Sequence, residues 1–326
     1  MSERRWNPVL GEWTITATHR QDRTFLPPPD YCPLCPTRPG GPPTEIDRSA
    51  FGIAVFDNRF PSLTLDPPIP AVAGTDLTPV APATGACEVI VYTPDHDATM
   101  ASIPLERIRL LVDTWAERTL DLGADERIAH VFPFENRGQA IGVTLDHPHG
   151  QLYAYTTIPP IPAAEAANGA AHLAASGRCL WCDLLEQERA DGRRIVFEYG
   201  DWVAGVPFFA RWPFEIHLTP RRHVGWLSEL TPGEADGLAA ALRQVARTYD
   251  ALFGFTLPYI MAVHQRPVDG GAHDGYHLHV EFYPPNRTAT KLKHLAGSEA
   301  GAGAFINDTL PEETAVMLRE VSRVEA

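Results

Sequence analysis

Apolar and polar positions in the first half of the chain predict short strands and one long helix. Residues 11–18 (GEWTITAT) alternate with a period of two, which is typical of a strand with one buried face. Apolar residues recur at helical spacing in 104–120, where Pro104 stands at a position that favours the first helical turn. Further strands are predicted within 51–58, 87–93, 128–136 and 150–158.

The second half of the chain differs in composition and begins with an alanine-rich segment. Residues 162–192 are rich in alanine and predict helix, and they follow a cluster of prolines at 159–162. Two later segments, 231–254 and 310–321, also have helical spacing of apolar residues. Strands are predicted within 194–209, 214–220, 259–265 and 276–283.

Four landmarks recur in the same order in the two halves: a C-x-x-C pair, a "TP…H" segment, a helix with a strand, and an H-x-H pair. The first half contains Cys32, Cys35, His96, His147 and His149 at these landmarks, and the second contains Cys179, Cys182, His223, His277 and His279. Two diverged α+β modules in tandem explain this order. We therefore predict an N-terminal module over 1–162 and a C-terminal module over 163–326.

Composition and charge limit the kinds of molecule that the protein is expected to bind. The chain has 326 residues and a formal net charge of −14, which argues against a broad nucleic-acid or membrane surface. A few local arginines could still hold a small anionic ligand. The start, MSERRWNPVLG, has no apolar signal core, and no apolar run has the length of a membrane span. These observations predict a cytoplasmic protein.

Four of the five cysteines belong to the C-x-x-C pairs, and in a reducing compartment such pairs favour metal sites over disulfides. Thiolate and imidazole form the usual ligand mixture of zinc, and a full Cys2His2 set leaves no open position, which favours a structural role. The fifth cysteine, Cys87, lies in an apolar strand and is predicted to be a core thiol. The two predicted zinc sets are Cys32, Cys35, His96 and His147, and Cys179, Cys182, His223 and His277.

A second possibility exists for the metal of the second half. Glutamate and histidine ligands suit iron or another metal that prefers nitrogen and oxygen. Such a set is offered by Glu165, His264, His279 and Glu281.

The segment DHPHGQ at 146–151 carries the candidate chemistry. On an extended segment, His147 and His149 point to the same side, and Pro148 stiffens the link between them. If a metal fixes His147, then His149 is presented as a neutral imidazole nucleophile. Gly150 is expected to let a ligand approach the backbone, and Gln151 to donate an uncharged amide to a phosphoryl oxygen. This pattern favours forming a phosphoramidate over hydrolysing it.

The block FENRGQAIGVTLDHPHGQ (134–151) resembles the active-site block of galactose-1-phosphate uridylyltransferases, a branch of the histidine-triad superfamily. The resemblance extends over nearly the whole chain. It includes RRWNPVLGEWTITATHRQDR (4–23), VFDNRFPSL (55–63), VPFFARWPFEIHLTPRRHV (206–224) and HLHVEFYPP (277–285). It implies an α+β fold of two histidine-triad-like modules in tandem, each an antiparallel sheet with helices packed on it, related by a pseudo-two-fold repeat.

The resemblance also implies a ping-pong nucleotidyl transfer. His149 would attack the α-phosphorus of UDP-glucose and release glucose 1-phosphate. Galactose 1-phosphate would then take the uridylyl group from His149, giving UDP-galactose. Positioning and charge stabilisation would carry such a reaction.

Site residues follow from the matching positions. The nucleotide and phosphate contacts implied are Arg20, Arg23, Asn58, Asn136, Thr144 and Gln151, with Gln151 also in a catalytic role. Near the C-terminus, KHLAGSE (293–299) resembles the segment that binds the hexose phosphate, through Lys293 and Glu299, and that segment can act across a homodimer interface. The Cys32, Cys35, His96 and His147 set matches the family zinc ligands.

Departures from the family pattern keep alternatives open. Glu281 replaces the last histidine of a glutamate-and-three-histidine metal site found in some members, whereas the second C-x-x-C set resembles two-zinc members such as the plant ADP-glucose phosphorylase branch. SEAGAGAFIND (298–308) also differs from the commonest hexose-binding segment. The competing hypotheses are an ADP-glucose phosphorylase or another nucleotidyltransferase of the same branch, a histidine-triad hydrolase and a zinc-stabilised nucleotide-binding module. Gln151 argues against the hydrolase, because hydrolases of the superfamily carry a further histidine there.

Overall fold

The computed structural model describes residues 2–23 and 31–324, except for the side chains of Asp22, Arg23 and Val324. The strands in chain order are β1 Ser2–Asn7, β2 Glu12–Ala17, β3 Ala54–Asp57, β4 Val80–Pro82, β5 Gly85–Val91, β6 His130–Arg137, β7 His149–Tyr155, β8 Ile195–Tyr199, β9 Trp202–Gly205, β10 Ile216–Pro220, β11 Tyr259–His264 and β12 His279–Tyr283. The helices are α1 Leu105–Gly123, α2 Pro160–Ser176, α3 Leu180–Asp191, α4 Pro232–Phe253, α5 Gly297–Ala302 and α6 Pro311–Val324.

A nine-stranded antiparallel sheet runs through both halves in the order β3-β5-β7-β6-β11-β12-β10-β9-β8. Strands β6 and β11 meet at its centre, so each half contributes a similar set of strands on its own side. This arrangement confirms the predicted α+β fold with a pseudo-two-fold repeat. The boundary between 1–162 and 163–326 stays a prediction, because the sheet is continuous across it.

Helices α1 and α4 cover one face of the sheet, and their apolar faces explain their position. Both have a buried stripe at helical spacing, which includes Leu111 and Trp115 in α1 and Leu238 and Leu242 in α4. These residues share one core cluster with the central strands. Thr231 caps α4 by accepting a hydrogen bond from the Glu234 amide at 3.3 Å, which explains why the helix begins at "TPGE".

The N-terminal segment departs from the sequence-based expectation. Residues Ser2–Asn7 form β1, which pairs with β2 and β4 in a separate three-stranded sheet. The pattern SERRWN contains too few apolar residues to show a strand, so pairing with β2 decides its conformation.

Within the described residues, no helix combines the length and apolar character needed to cross a membrane.

Candidate active site and metal centres

The two histidines of the H-x-H motif lie where β7 begins. The His147 ring is buried, and its Nε2 donates to the Thr93 carbonyl oxygen at 2.7 Å. Its Nδ1 therefore faces the first cysteine pair, 3.8 Å from Cys32 Sγ and 3.5 Å from Cys35 Sγ. A carbonyl thus fixes which ring nitrogen of His147 is turned to the thiols, as is usual for a metal-binding histidine.

A second backbone carbonyl orients His149. The Nδ1–H of His149 donates to the His147 carbonyl oxygen at 2.8 Å. A neutral imidazole that is protonated at Nδ1 has its lone pair on Nε2. The prediction that the motif presents an oriented imidazole is consistent with this geometry, and the nucleophilic nitrogen would be Nε2.

Gln151 lies two residues along β7 and is oriented by Asn58. The Asn58 Nδ2 donates to Gln151 Oε1 at 3.2 Å, and the Asn58 Oδ1 accepts from the Phe60 amide at 2.9 Å. Because its oxygen is held by Asn58, the amide nitrogen of Gln151 is turned away from Asn58 and keeps its donors for another acceptor. Asn58 is therefore a positioning residue for Gln151.

A cavity of about 400 Å³ joins these residues. Its size is in the range of small-molecule sites. It brings together five residues that the sequence analysis assigned to the site. They are Asn58, Asn136, Thr144, His149 and Gln151.

Several lining residues were not predicted. Arg59 and Glu45 both line the cavity and form an ion pair of 3.6 Å, and Phe56 and Phe60 supply aromatic walls. The "VFDNRF" segment carried a signal, because Phe56 and Asn58 are two apart on an extended chain and point to one side. Glu45 lies in a proline-rich loop without periodicity, so no sequence signal identified it.

Two predicted phosphate contacts lie outside the described lining. The Arg20 guanidinium donates to the Tyr153 hydroxyl at 3.2 Å and to the Phe60 carbonyl at 3.4 Å. Arg20 thus supports a cavity wall through Phe60, and its phosphate contact stays a prediction. Arg23 belongs to a short 3-10 helix, Thr18–Arg23, and its side chain lies outside the described residues.

Lys293 and Glu299 form an ion pair of 3.0 Å and are both buried. The hydrogen bond from Lys293 lowers the pKa of Glu299 to about 2, so the carboxyl is ionised. Neither residue is among the described residues that line the cavity of His149. Their hexose-phosphate role stays a prediction.

Gly150 has a packing role that was not predicted. A β-carbon at Gly150 would lie 2.2 Å from the Tyr92 hydroxyl and 2.9 Å from the Phe134 carbonyl oxygen. The space on the Cβ side of Gly150 is therefore taken by Tyr92, and glycine is needed because the Tyr92 ring packs under the motif. The expectation that glycine admits a ligand to the backbone on the His149 side of the strand stays a prediction.

The first cysteine–histidine set is assembled as predicted. The potential ligand atoms of its four residues lie within 4.8 Å of one another. Burial and the neighbouring Cys32 raise the pKa of the Cys35 thiol to about 11, so without a metal this thiol is protonated. Pro33 and Leu34, between the cysteines, line the cavity, so the metal loop also forms part of the cavity wall. The set is Cys32, Cys35, His96 and His147.

The second set repeats this arrangement. The His277 Nε2 donates to the Pro220 carbonyl oxygen at 3.1 Å, and its Nδ1 lies 3.6 Å from Cys179 Sγ and 3.5 Å from Cys182 Sγ. The ring thus turns Nδ1 to the thiols, as His147 does in the first half. The four residues Cys179, Cys182, His223 and His277 lie within the same 4.8 Å limit.

The glutamate–histidine set is assembled as well. Its members are Glu165, His264, His279 and Glu281, and they share no residue with the second cysteine set, so the two sets are not mutually exclusive. His264 Nδ1 lies 3.0 Å from a Glu165 oxygen, and His279 Nε2 lies 3.3 Å from a Glu281 oxygen. Burial alone would lower the pKa of His279, but Glu165 and Glu281 raise it to about 10.

The second half carries an altered copy of the H-x-H site. His279 Nδ1 lies 2.8 Å from the His277 carbonyl oxygen, as in the first half. Trp181, however, stacks on His279 with ring centroids 3.9 Å apart. Glu281 stands two residues after His279, where the first half has Gln151, and a carboxylate there would repel a phosphate.

Comparison with known proteins decides the family. Residues 1–159 match the family model "Galactose-1-phosphate uridyl transferase, N-terminal domain", and residues 165–326 match its C-terminal counterpart. The chain belongs to the galactose-1-phosphate uridylyltransferase family. This confirms the resemblance inferred from the active-site block.

Individual relatives agree over the full length. The chain is 39% identical to a galactose-1-phosphate uridylyltransferase of Thermotoga maritima, with 98% of each chain covered. A solved structure titled "Structure of uridylyltransferase" superposes with a TM-score of 0.88 at 36% identity and 99% coverage of both chains. An ADP-glucose phosphorylase from Arabidopsis thaliana with bound ADP-glucose has a TM-score of 0.74 at 22% identity, covers 98% of both chains, and supports the fold alone.

Proposed function

We propose that this protein transfers a uridylyl group from UDP-glucose to galactose 1-phosphate through a covalent uridylyl-His149. The observation that carries the proposal is the His149 ring, whose Nδ1–H is held by the His147 carbonyl, in one cavity with Gln151. The names of the full-length relatives support the choice of nucleotide and sugar.

In the first step, the lone pair of His149 Nε2 forms a bond to the α-phosphorus of UDP-glucose. The bond from that phosphorus to the bridging oxygen breaks, and its electrons leave with glucose 1-phosphate. The Nδ1 proton stays on the ring, where the His147 carbonyl offsets the positive charge that develops. In the second step, a phosphate oxygen of galactose 1-phosphate attacks the same phosphorus and releases Nε2.

Gln151 is proposed to stabilise the charge on the phosphoryl oxygens. Its amide nitrogen donates, and the bond from Asn58 prevents the amide from turning its oxygen to the phosphate. A neutral amide gives no proton to a leaving group, which preserves the covalent intermediate until the acceptor binds. Asn136 and Thr144 line the same cavity and supply further donors.

Replacing Gln151 with glutamate tests this role, because it introduces the residue type found at the matching position of the second half. We expect the rate of exchange to fall by about 100- to 1,000-fold, since a donor is lost and a negative charge is added. The exchange of radiolabelled glucose 1-phosphate into UDP-glucose measures the effect. The matched control is Gln139→Glu at an exposed position, and an equal loss in both variants would contradict the role.

The donor chemistry of the cysteine sets fits zinc, because two thiols and two imidazoles form a closed tetrahedral set. We propose one structural zinc at Cys32, Cys35, His96 and His147, and a second at Cys179, Cys182, His223 and His277. Bound zinc would supply fixed loop geometry. Catalysis would be left to the chain's own residues.

The glutamate–histidine set has the imidazole and carboxylate donors that fit iron or a similar metal. His217 adds a further imidazole, because it lies directly opposite Glu281 across β10 and β12, with its Nε2 3.3 Å from a Glu281 oxygen. A metal there would hold β10, β11 and β12 to α2. The reaction proposed above takes place in the cavity of His149, whose described lining includes none of these residues, and does not use the metal.

The hexose-phosphate segment is proposed to act in a homodimer. Lys293 and Glu299 are outside the described lining of their own chain's cavity, which supports a role at the cavity of a second copy. Their buried ion pair must open before it can bind a hexose phosphate.

We place the protein in the cytoplasm, because thiol ligands persist in a reducing compartment and all five cysteines are free.

A donor and acceptor panel tests the proposed function. We expect UDP-glucose with galactose 1-phosphate to give UDP-galactose, and UDP-glucose alone to give little UMP. Turnover of ADP-glucose with inorganic phosphate, together with failure of UDP-glucose, would replace the proposal with an ADP-glucose phosphorylase. Rapid release of UMP without an acceptor would favour a histidine-triad hydrolase.

A further inference from the structure

A buried polar cluster lies on the opposite face of the sheet from the cavity. Along β6, Asn136 lines the cavity, so its neighbours Glu135 and Arg137 point to the other face, where α4 packs. Arg137 pairs with Asp250 of α4 at 2.8 Å, and the Tyr259 hydroxyl of β11 donates to Glu135 Oε1 at 3.2 Å. The cluster therefore joins the two halves at the centre of the sheet.

Tyr92 connects this cluster to the H-x-H motif. Its amide donates to the Pro148 carbonyl oxygen at 3.1 Å, and its ring is buried beneath β7. Since a β-carbon at Gly150 would be 2.2 Å from its hydroxyl, the hydroxyl rests against the backbone between His149 and Gln151. No other side chain could occupy position 150 without displacing Tyr92.

Three buried atoms of this cluster have no hydrogen-bond partner among the described residues: the Tyr92 hydroxyl, Glu135 Oε2 and Arg137 Nη1. Burial, with the charge of Glu135, holds the pKa of Tyr92 far above its usual range, so the hydroxyl keeps its proton. An unsatisfied buried polar group costs about 1–3 kcal/mol. One hydrogen bond from the Tyr92 hydroxyl to the Glu135 carboxyl would satisfy the first two of these atoms.

We propose that Tyr92 and Glu135 are positioning residues, which hold the His149–Gln151 backbone from behind the sheet and so set the place of the nucleophile and the donor amide. The inference rests on the proposed function. A buried carboxyl is a poor source of stability, because apolar groups of similar volume often serve as well. Its location under the motif is explained if it secures position, since reacting atoms tolerate little misplacement.

Tyr92→Phe and Glu135→Gln test the proposal, because both keep the shape of the side chain. We expect either change to slow formation of the uridylyl enzyme by about 10- to 100-fold at saturating UDP-glucose, with the KM for UDP-glucose within twofold of the wild type. Rapid-quench single-turnover kinetics measure the rate. The control is Tyr249→Phe, which removes another buried hydroxyl, one that donates to the Phe214 carbonyl oxygen at 2.7 Å and not to Glu135.

The pH profile distinguishes positioning from a general structural role. Burial raises the pKa of Glu135 to about 7, with the Arg137 charge opposing this effect. The charged and titratable groups that face Glu135 are Tyr92, Tyr259 and Arg137, the last paired with Asp250. We expect the ionised carboxylate to accept from both hydroxyls, and the wild-type rate therefore to rise through pH 7 with a component that Glu135→Gln lacks.

The contribution of Glu135 to folding stability changes with pH in the opposite direction to its expected effect on the rate, and it therefore serves as an internal check. Because its folded-state pKa is raised, Glu135 contributes most below its unfolded pKa, and that contribution is lost as pH rises to about 7. Glu135→Gln should therefore gain in Tm relative to the wild type between pH 5 and pH 8. If Glu135→Gln forms the uridylyl enzyme more slowly than the wild type and is nevertheless more stable at pH 8, the slower rate results from a displaced motif and not from partial unfolding.

The outcomes separate the two proposals. If the wild type forms no nucleotidyl adduct, the proposed function fails, and the 15N shifts of the His149 ring in substrate-free wild type and Tyr92→Phe then judge the positioning role. If the wild type forms the adduct and both variants match its rate and pH profile, the positioning role is overturned. Equal slowing by Tyr249→Phe would overturn it as well.

Discussion

Replacing His149 with alanine should abolish the exchange between UDP-glucose and galactose 1-phosphate. We expect the rate to fall by about four to six orders of magnitude, because His149 is the one imidazole among the described residues that line the cavity, and loss of a nucleophile has effects of this size. Binding of UDP-glucose should persist, since Asn58, Asn136 and Gln151 still line the cavity. Exchange kinetics and calorimetry measure the two quantities separately.

His172→Ala is the matched control for this variant. His172 lies in α2 and its Nε2 is 2.7 Å from an Asp183 oxygen in the second half. We expect it to keep the wild-type exchange rate. Full turnover by His149→Ala would show that His149 is not the nucleophile and would leave the nucleotide-binding module as the better description.

Removal of metal should have the second large effect. Structural zinc contributes on the order of 10 kcal/mol in small domains, so a loss of about 5 kcal/mol per site is a conservative expectation here. At an unfolding entropy of about 2.1 cal/mol/K per residue, that loss lowers Tm by about 7 °C in a chain of this length. Calorimetry of the protein before and after chelation, with metal content measured by mass spectrometry, tests it.

The first metal site should also affect nucleotide affinity, because Pro33 and Leu34 form part of the cavity wall. Cys35→Ser should therefore lower Tm and raise the Kd for UDP-glucose together, whereas Cys182→Ser should lower Tm alone. Cys87→Ala is the control. Cys87 is buried, with its Sγ 3.5 Å from the Ser62 hydroxyl, and it belongs to none of the potential metal sets among the described residues. A chelated protein that melts no earlier than the untreated one would contradict the metal assignment.

The spacing of a few residue types made much of the site predictable. A C-x-x-C pair, a later histidine and an H-x-H pair define a ligand set by chemistry alone, and the repetition of this order in the second half identified both sets. Periodicity located the main strands and helices because their apolar faces pack in one core. These features depend on residues close in sequence or on a ligand chemistry with few alternatives.

The remaining features depend on contacts between distant segments, which no local pattern reveals. The bond from Asn58 to Gln151 and the ion pair of Arg59 and Glu45 join residues that the fold brings together. The packing role of Gly150 was not predicted for the same reason, because the residue that requires a glycine there is Tyr92, far away in sequence. The pairing of β6 with β11, which joins the two halves, had no sequence signal either.

The two halves differ in the surroundings of the H-x-H pair, which explains why we propose the reaction at only one of them. Both hold an H-x-H pair with the same carbonyl contacts, yet Trp181 covers His279 and a carboxylate follows it. Position 34, at the matching place in the first C-x-x-C loop, is a leucine that lines the open cavity. Trp181 in the second C-x-x-C loop and His264, whose ring stacks on His279 at 4.8 Å, thus cover the imidazole of the second half.

The most direct test is intact mass spectrometry of the protein mixed with UDP-glucose in the absence of an acceptor, followed by peptide mapping. We predict a single uridylyl adduct on His149 that is discharged when galactose 1-phosphate is added. An adduct on another residue, or no adduct with either UDP-glucose or ADP-glucose, would contradict the covalent mechanism proposed for this site.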